Sequence, residues 1–318
     1  MQLSYSGSMT FEKIVDKSPA MNASDYITWR RWAYYNSAPD KYTPGNQPTQ
    51  DQDKSFFSGD EYALANVMKG WAGGSWDGSK VTDTDWTDYV KQTGITHEHT
   101  LSARGGTKNL KGFVSFGYLN NKGTQKGQDY ERYNFAASAD VQATPWMLLG
   151  GSLNASYAKQ AYGYSRTGQS SNSGPTDIYG AAKSILRYAV PYDDAGNIIL
   201  VPGGSTTNTY TIIDEWAKSN DNRQTFRALG SFFAQIDFGK IWSGLQGLQW
   251  KTQFGPDFRF FRQGIFIDSS SAIRGGGNNY ATRNDTRNFA WTLDNMLLYN
   301  KTFADIHTIG VTLLQSAS

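Results

Sequence analysis

The sequence predicts an all-β fold, a segment of an antiparallel β-barrel that crosses a membrane. In several stretches every second residue is apolar, as in extended chain, where successive side chains point to opposite faces of a sheet. These stretches reach about ten residues, the length that a tilted strand needs to cross a bilayer. The connections between them alternate between short and long, which is typical of outer-membrane barrels with short turns at one rim and long loops at the other.

Composition is compatible with this fold and excludes several other classes. The 318 residues could hold one large β domain or two smaller ones, and 19 Tyr, 10 Trp and 33 Gly are typical of β-rich proteins, including soluble lectin-like ones. Only 38% of residues are hydrophobic, mean hydropathy is −0.56, and no run of eighteen apolar residues could form a transmembrane helix. Cysteine is absent, which excludes disulfides and Cys-based sites, and a net charge of +2 from scattered residues gives no nucleic-acid footprint.

The clearest element is a hairpin between Tyr130 and Tyr157. From Tyr133 to Val141 apolar residues alternate with polar or small ones, and the alternation resumes from Leu149 to Tyr157 after a tight turn at Pro145. Such a hairpin has one apolar face and one polar face, as a unit of a membrane barrel requires.

The same alternation predicts nine strands in all. Besides the two strands of the hairpin, the stretches are 2–11, 95–104, 113–118, 226–238, 248–254, 289–299 and 309–313, with Asn295 interrupting one apolar face. Short connections are expected at 105–110, 143–146, 239–247 and 302–306, an intermediate one at 120–129, and long ones at 12–94, 159–222 and 256–286.

The long connections contain helix signals. A helix is expected from Asn22 to about Tyr35, and a capping box at Ser58-Gly59-Asp60-Glu61 precedes another at 62–68. Shorter helices are expected at 85–91 and 177–188.

The chain is expected to be a fragment. It opens within an alternating strand, and its first residues show no basic and apolar regions of a signal peptide. Bacterial barrels usually have an even number of strands, so nine strands would need further strands, beyond the C-terminal end or beyond both ends.

Several motifs, taken in order, resemble those of SusC/RagA-type TonB-dependent outer-membrane transporters. The resemblance covers most of the chain, and no single motif would suffice. The motifs are Thr84-Asp85-Trp86, the stretch from His99 to Thr107, the stretches 117–123 and 130–135, the turn 192–197, and Phe254-Gly255-Pro256-Asp257.

This resemblance implies a 22-stranded barrel filled by an N-terminal plug, which imports oligosaccharides or peptides. It also implies two protein partners, TonB and a SusD-like surface lipoprotein that forms a lid, besides the lipid bilayer. Residues 1–318 would then be one partial barrel domain in the outer membrane, without the plug, TonB box, signal peptide and remaining strands. Glycan is the favoured substrate and peptide the alternative.

Two sets of residues are candidates for contact with the transported solute. Aromatic residues in the long loops could contact sugar rings or peptide side chains, or could pack within the loops or against the lid; they are Trp71, Trp76, Trp86, Tyr162 and Tyr164. Charged residues on the polar face could line the lumen or contact the plug; they are Arg132, Asp140, Arg227, Asp237, Lys251, Asp257 and Arg259.

No catalytic or metal motif is present. His97 and His99 share a strand face but lack an evident third ligand, and no P-loop, zinc-protease or nucleophile-elbow pattern occurs. No cofactor is expected, although Asp193-Asp194 could hold calcium in an outer loop. The principal alternative is a soluble β-sandwich carbohydrate-binding module, and long helix-containing loops argue against a passive porin.

Overall fold

The computed structural model describes residues 1–41, 48–59, 61–164, 177–204, 209–304 and 306–318. These residues form one antiparallel sheet in which nine strands lie side by side in chain order. The sheet is open, since β1 and β9 do not pair with each other, which confirms the predicted all-β barrel segment. The strands are β1 (Gln2–Glu12), β2 (Gly94–Gly106), β3 (Leu110–Lys122), β4 (Asp129–Thr144), β5 (Met147–Ala161), β6 (Ser219–Asp237), β7 (Leu248–Ile267), β8 (Tyr280–Phe303) and β9 (His307–Ala317).

The strand register brings the apolar residues of neighbouring strands onto one side, here termed the apolar face. One row runs across eight strands and consists of Tyr5, Leu101, Phe116, Phe135, Ala155, Ala228, Phe258 and Phe289. The opposite side, here termed the polar face, carries a neighbouring row of Ser6, Thr100, Gly117, Asn134, Ser156, Arg227, Arg259 and Asn288. The hairpin 130–157 contributes to both rows with the faces predicted for it.

The stagger of the strands is typical of a barrel wall. Along the apolar row, the distance to the short-turn end grows from five residues on β2 (Leu101 to Gly106) to fourteen on β8 (Phe289 to Phe303). This stagger is the shear that tilted barrel strands show.

Asn295 is the polar residue that interrupts the apolar face of β8. Its amide Nδ2 donates a 2.8 Å hydrogen bond to Oε1 of Gln315 on β9, so its polar group has a partner within the sheet.

Strands β7 and β8 extend much further than the apolar pattern predicts. The expected loop 256–286 is wrong in its bounds, since β7 continues to Ile267, β8 begins at Tyr280, and only residues 268–279 connect them. The additional β7–β8 residue pairs lie beyond the apolar row. They include charged residues such as Arg262 and Asp285, so the alternation of apolar and polar residues is absent there. Backbone pairing does not need apolar side chains, and it therefore continues past the predicted strand ends.

The helices occur in the connections. The helices are α1 (Ala23–Ser37), α2 (Gln50–Phe56), α3 (Glu61–Lys69), α4 (Ile178–Lys183) and α5 (Glu215–Lys218). As predicted, Asn22 caps α1 by accepting from the amide of Asp25, whereas α4 ends five residues before the predicted Tyr188. The complete capping box, formed by Thr49 and Gln52, lies at the start of the unpredicted α2, and Asp60 of the predicted box lies outside the described residues. A short 3-10 helix, Trp86–Tyr89, stands where 85–91 was expected.

The connections 13–93, 162–218 and 268–279 pack together at one end of the sheet, and we term their described parts the loop cap. Its core contains the fully buried Ile27, Val67, Ile178 and Ile212, together with Ile267 at the outer end of β7. Short connections lie at the opposite end. Within the described residues, no helix combines the length and apolar character needed to cross a bilayer.

Candidate functional site

The loop cap is built around a buried ion pair. Arg31 on α1 and Asp53 on α2 are at most 1% exposed, and the Arg31 guanidinium donates two hydrogen bonds to the Asp53 carboxylate. Trp71 Nε1 donates to the same carboxylate at 2.8 Å, and the Trp76 ring lies 3.8 Å from the Arg31 guanidinium carbon. A buried charge is tolerated only when it is paired and hydrogen-bonded, and these four side chains meet that condition together.

The five predicted aromatic contacts therefore differ in accessibility. Trp86 is 1% exposed and donates from Nε1 to the carbonyl of Leu186, and Trp71 and Tyr164 are also buried. Trp76 and Tyr162 are half-buried, and the Tyr162 ring lies 3.9 Å from the guanidinium carbon of Arg223. The role of all five in substrate contact stays a prediction, and in this conformation Trp76 and Tyr162 offer the more accessible rings.

Exposed aromatic residues on α1 were missed by the sequence reasoning. Trp29 and Trp32 project from the side of α1 opposite to the buried Ala23 and Ile27, and Trp29 is 52% exposed. Helical periodicity gave little sign of this, because apolar and polar residues are spread around α1 and its buried side includes the charged Arg31. A groove of about 340 Å³ beside Trp29 is lined by Met21, Tyr26, Ile185, Leu186 and Arg187, among other residues.

Polar contacts tie the three connections of the cap together. Buried Glu215 accepts hydrogen bonds from the Ser271 hydroxyl and the Ala272 amide, and also pairs with Lys218. Asn66 on α3 donates to the carbonyls of Thr82 and Tyr188, both at 2.8 Å, and accepts from the Thr82 amide. These bonds hold the cap in one arrangement.

Several carboxylates of the loop cap accept hydrogen bonds from groups in turns and at helix starts. Partial burial tends to raise the pKa of Asp85, but hydrogen bonds from the hydroxyl and amide of Thr87 hold the pKa below its usual range. Asp193 accepts hydrogen bonds from the side-chain amide of Asn197, from the Asn197 backbone amide and from the Ala195 amide, and these bonds lower its pKa. The described residues contain no group of three His, Cys, Asp or Glu side chains arranged for a metal, and the calcium site at Asp193-Asp194 gains no support.

The polar face carries all seven charged residues predicted for the lumen. Arg227 on β6 donates twice to Asp257 on β7, while Arg259 lies directly opposite Arg227 in the strand register. Two guanidinium groups thus lie beside one carboxylate. Arg132 lies 3.8 Å from Glu98, and its buried Nε has no hydrogen-bond partner.

The remaining candidates of this face lie nearer the short turns. Lys251 Nζ is 4.7 Å from the centre of the Phe233 ring, Asp140 is opposite Lys111, and Asp237 accepts from the Gly239 amide in the turn after β6. Their roles in lining the lumen or meeting a plug stay predictions. The face as a whole offers guanidinium and amide donors, which suit carboxylates and hydroxyls.

The two histidines contact tyrosines of the neighbouring strands. His99 Nδ1 is 2.8 Å from the Tyr5 hydroxyl, and the His97 ring packs against Tyr118. Both therefore belong to an aromatic rim at the outer edge of the apolar face.

Comparison with known proteins yields relatives of one kind. TonB-dependent receptor P3 of Formosa agariphila is 26% identical over 226 residues, which cover 70% of this chain and 21% of the relative. TonB-dependent receptor P26 of the same organism is 24% identical over 76% of the chain and 23% of the relative. TonB-dependent receptor SusC of Bacteroides thetaiotaomicron is 32% identical over 116 residues, 35% of this chain and 11% of SusC. No family model matches the chain.

Solved structures share the fold. The structure of the RagAB peptide transporter superposes with a TM-score of 0.70 at 16% identity, over 99% of this chain and 34% of that chain. The "open-open" state of the RagAB peptide importer gives 0.67 over the same shares. The chain thus spans about a fifth of its first curated relatives and a third of the solved chain. The relatives are TonB-dependent receptors and a peptide transporter, in agreement with the predicted outer-membrane location.

Proposed function

We propose that this chain, which is similar to TonB-dependent receptors of the SusC/RagA type, supplies nine strands of an outer-membrane nutrient importer. The observation that carries the proposal is the two-sided sheet. Its apolar face suits lipid, its polar face suits a water-filled lumen, and the loop cap lies at one end only. The soluble β-sandwich is not favoured, because a sandwich needs two packed sheets and the described residues form one.

The proposed solute is an oligosaccharide, with peptide as the alternative. Aromatic rings such as Trp29, Trp76 and Tyr162 provide flat apolar surfaces next to polar groups, which suit sugar rings. The guanidinium groups of Arg227 and Arg259 suit the carboxylates of peptides or acidic sugars. RagAB, which shares the fold, is a peptide transporter, and this supports keeping the alternative.

The proposed partners follow from the same similarity. A SusD-like surface lipoprotein would cover the loop cap, and TonB would power import through parts of the longer protein. Residues 1–318 would act as barrel wall and outer loops within it, and further strands would be needed to close the sheet.

Two measurements test the proposal. Size-exclusion chromatography of the full-length protein should show a folded monodisperse species only with detergent or lipid. A species that stays folded and monomeric without either would contradict the membrane barrel.

The second measurement concerns import. A deletion strain complemented with the full-length gene should regain growth on its oligosaccharide substrate. Complementation with Trp76→Ala plus Tyr162→Ala should lower uptake, while Tyr62→Ala, an exposed cap aromatic, serves as control. Growth rescue on peptides alone would replace glycan by peptide.

A further inference from the structure

The apolar face ends abruptly at its outer edge on β7 and β8. On β8 it runs from Tyr299 to Phe289, which at ~3.3 Å per residue and a tilt of about 40° spans roughly 25 Å, the height of a barrel's apolar band. The next residue on this face is Arg287, followed by Asp285 and Arg283. On β7 the corresponding residue after Phe260 is Arg262.

These side chains form one cluster on the outside of the sheet. Arg262 Nε lies 3.1 Å from one Asp285 oxygen, and Arg283 Nη2 lies 2.8 Å from the other. The guanidinium carbons of Arg262 and Arg287 are 5.7 and 5.5 Å from the centre of the same Phe260 ring. Asp285 thus holds two arginines in place, and Phe260 positions the third.

The cluster is strongly positive. It holds three arginines and one carboxylate, a net charge of +2. At the same level on the neighbouring strands the charge is balanced or absent, because Lys159 on β5 pairs with Glu131 on β4 and β6 carries Gln224. The excess positive charge is therefore confined to the outer face of β7 and β8.

We infer that Arg262, Arg283 and Arg287 form a binding site for the phosphate of an outer-leaflet lipid headgroup. Guanidinium groups bind phosphate oxygens in bidentate fashion, and a cluster immediately beyond the apolar band lies at headgroup depth. Side chains on the polar face cannot serve this role, since they point to the other side of the sheet. The inference rests on the proposed membrane-spanning barrel.

Native mass spectrometry of the full-length protein extracted from its own membrane tests the site. We expect the wild type to retain phosphorylated lipid, and the triple variant R262Q/R283Q/R287Q to retain at least tenfold less. Each arginine near a charged headgroup contributes about fivefold in affinity. R259Q is the matched control, because Arg259 is an exposed arginine on β7 that belongs to the polar face, and it should retain lipid as the wild type does.

Further variants and treatments distinguish a failure of the proposed lipid site from a failure of the proposed barrel. The triple lysine variant R262K/R283K/R287K should keep part of the binding, because the charge remains while the bidentate geometry is lost. When phosphatase has removed the phosphate from the lipid, the wild type and all variants should retain the lipid to the same extent. Equal retention by the wild type and a folded triple glutamine variant would overturn the inference while leaving the barrel intact. A protein that needs neither detergent nor lipid would instead overturn the proposed function.

Discussion

The sheet and the loop cap of this chain obey opposite hydrophobic rules. In the sheet, large apolar residues such as Leu3, Phe232 and Phe289 are exposed, and the backbone ladder holds the strands together. In the cap, apolar residues are buried as in a water-soluble domain, around the ion pair of Arg31 and Asp53. The buried hydrophobic residues lie in the connections or at the outer end of β7. One chain thus meets two solvents, lipid along the strands and water around the loops.

Breaking the ion pair should have the largest effect, and only on the cap. Asp53→Ala leaves the Arg31 charge buried without its partner, which costs about 3–5 kcal/mol. Hydrogen exchange of the full-length protein should show loss of protection in α1, α2 and α3, with the strands unchanged. Asp51→Ala on the same helix is the control, because Asp51 is 94% exposed and should change protection little. Equal loss in the strands would contradict the separation of the two regions.

A charge on the apolar face should disturb only the sheet. Ala137 pairs with Val114 and Leu153 on this face, and Ala137→Arg should cost roughly 2–4 kcal/mol near the bilayer centre. The adjacent Ala136 pairs with Ser115 and Asn154 on the polar face, which makes Ala136→Arg a matched control with little cost. Refolding into lipid vesicles, monitored by heat-modifiable gel migration, measures both. Similar costs for the two variants would show that the faces are wrongly assigned.

Removing the hydrogen bonds that join α3 to its neighbours should have a smaller effect on the stability of the loop cap. Asn66→Ala removes donors to the carbonyls of Thr82 and Tyr188 and should weaken the cap by about 1–3 kcal/mol. Hydrogen exchange around residues 82 and 188 reports the change. Lys69→Ala on the same helix should leave protection there unaltered, since the Lys69 side chain makes one 3.5 Å exposed contact.

The smallest effect concerns pH. The Lys183 ammonium beside Asp16 holds the pKa of that carboxyl below its usual range, with help from the Ser18 amide. Because the folded-state pKa is lowered, the contact stabilises the cap above the unfolded-state pKa of about 4 and is lost as pH falls through the lower folded-state value. Exchange near residues 16–20 should therefore rise below about pH 4. In Asp16→Asn this pH dependence should disappear, and its persistence would mean that other groups cause it.

The alternation of apolar and polar residues predicted the sheet more completely than it predicted the loop cap. The alternation at Tyr133 to Val141 identifies both faces of β4, because a residue's face depends only on its place in the strand. Strand ends at Ile267 and Tyr280 were missed, because backbone pairing continues where the apolar pattern stops. The alternation could not decide which loop aromatics pack within the loops, and Trp71 and Trp86 are buried against Asp53 and Leu186, which lie 18 and 100 residues away in the sequence.

The sequence by itself determined the nine strands, their faces and most of the helices, since these follow from local periodicity and capping. Only the tertiary structure decided which loop aromatics are buried, how Arg31 finds Asp53, and that three arginines gather around Asp285 on the outside of β7 and β8. Those contacts join residues that no local pattern relates. They arise because the register of a long sheet and the packing of its connections bring distant side chains within bonding distance.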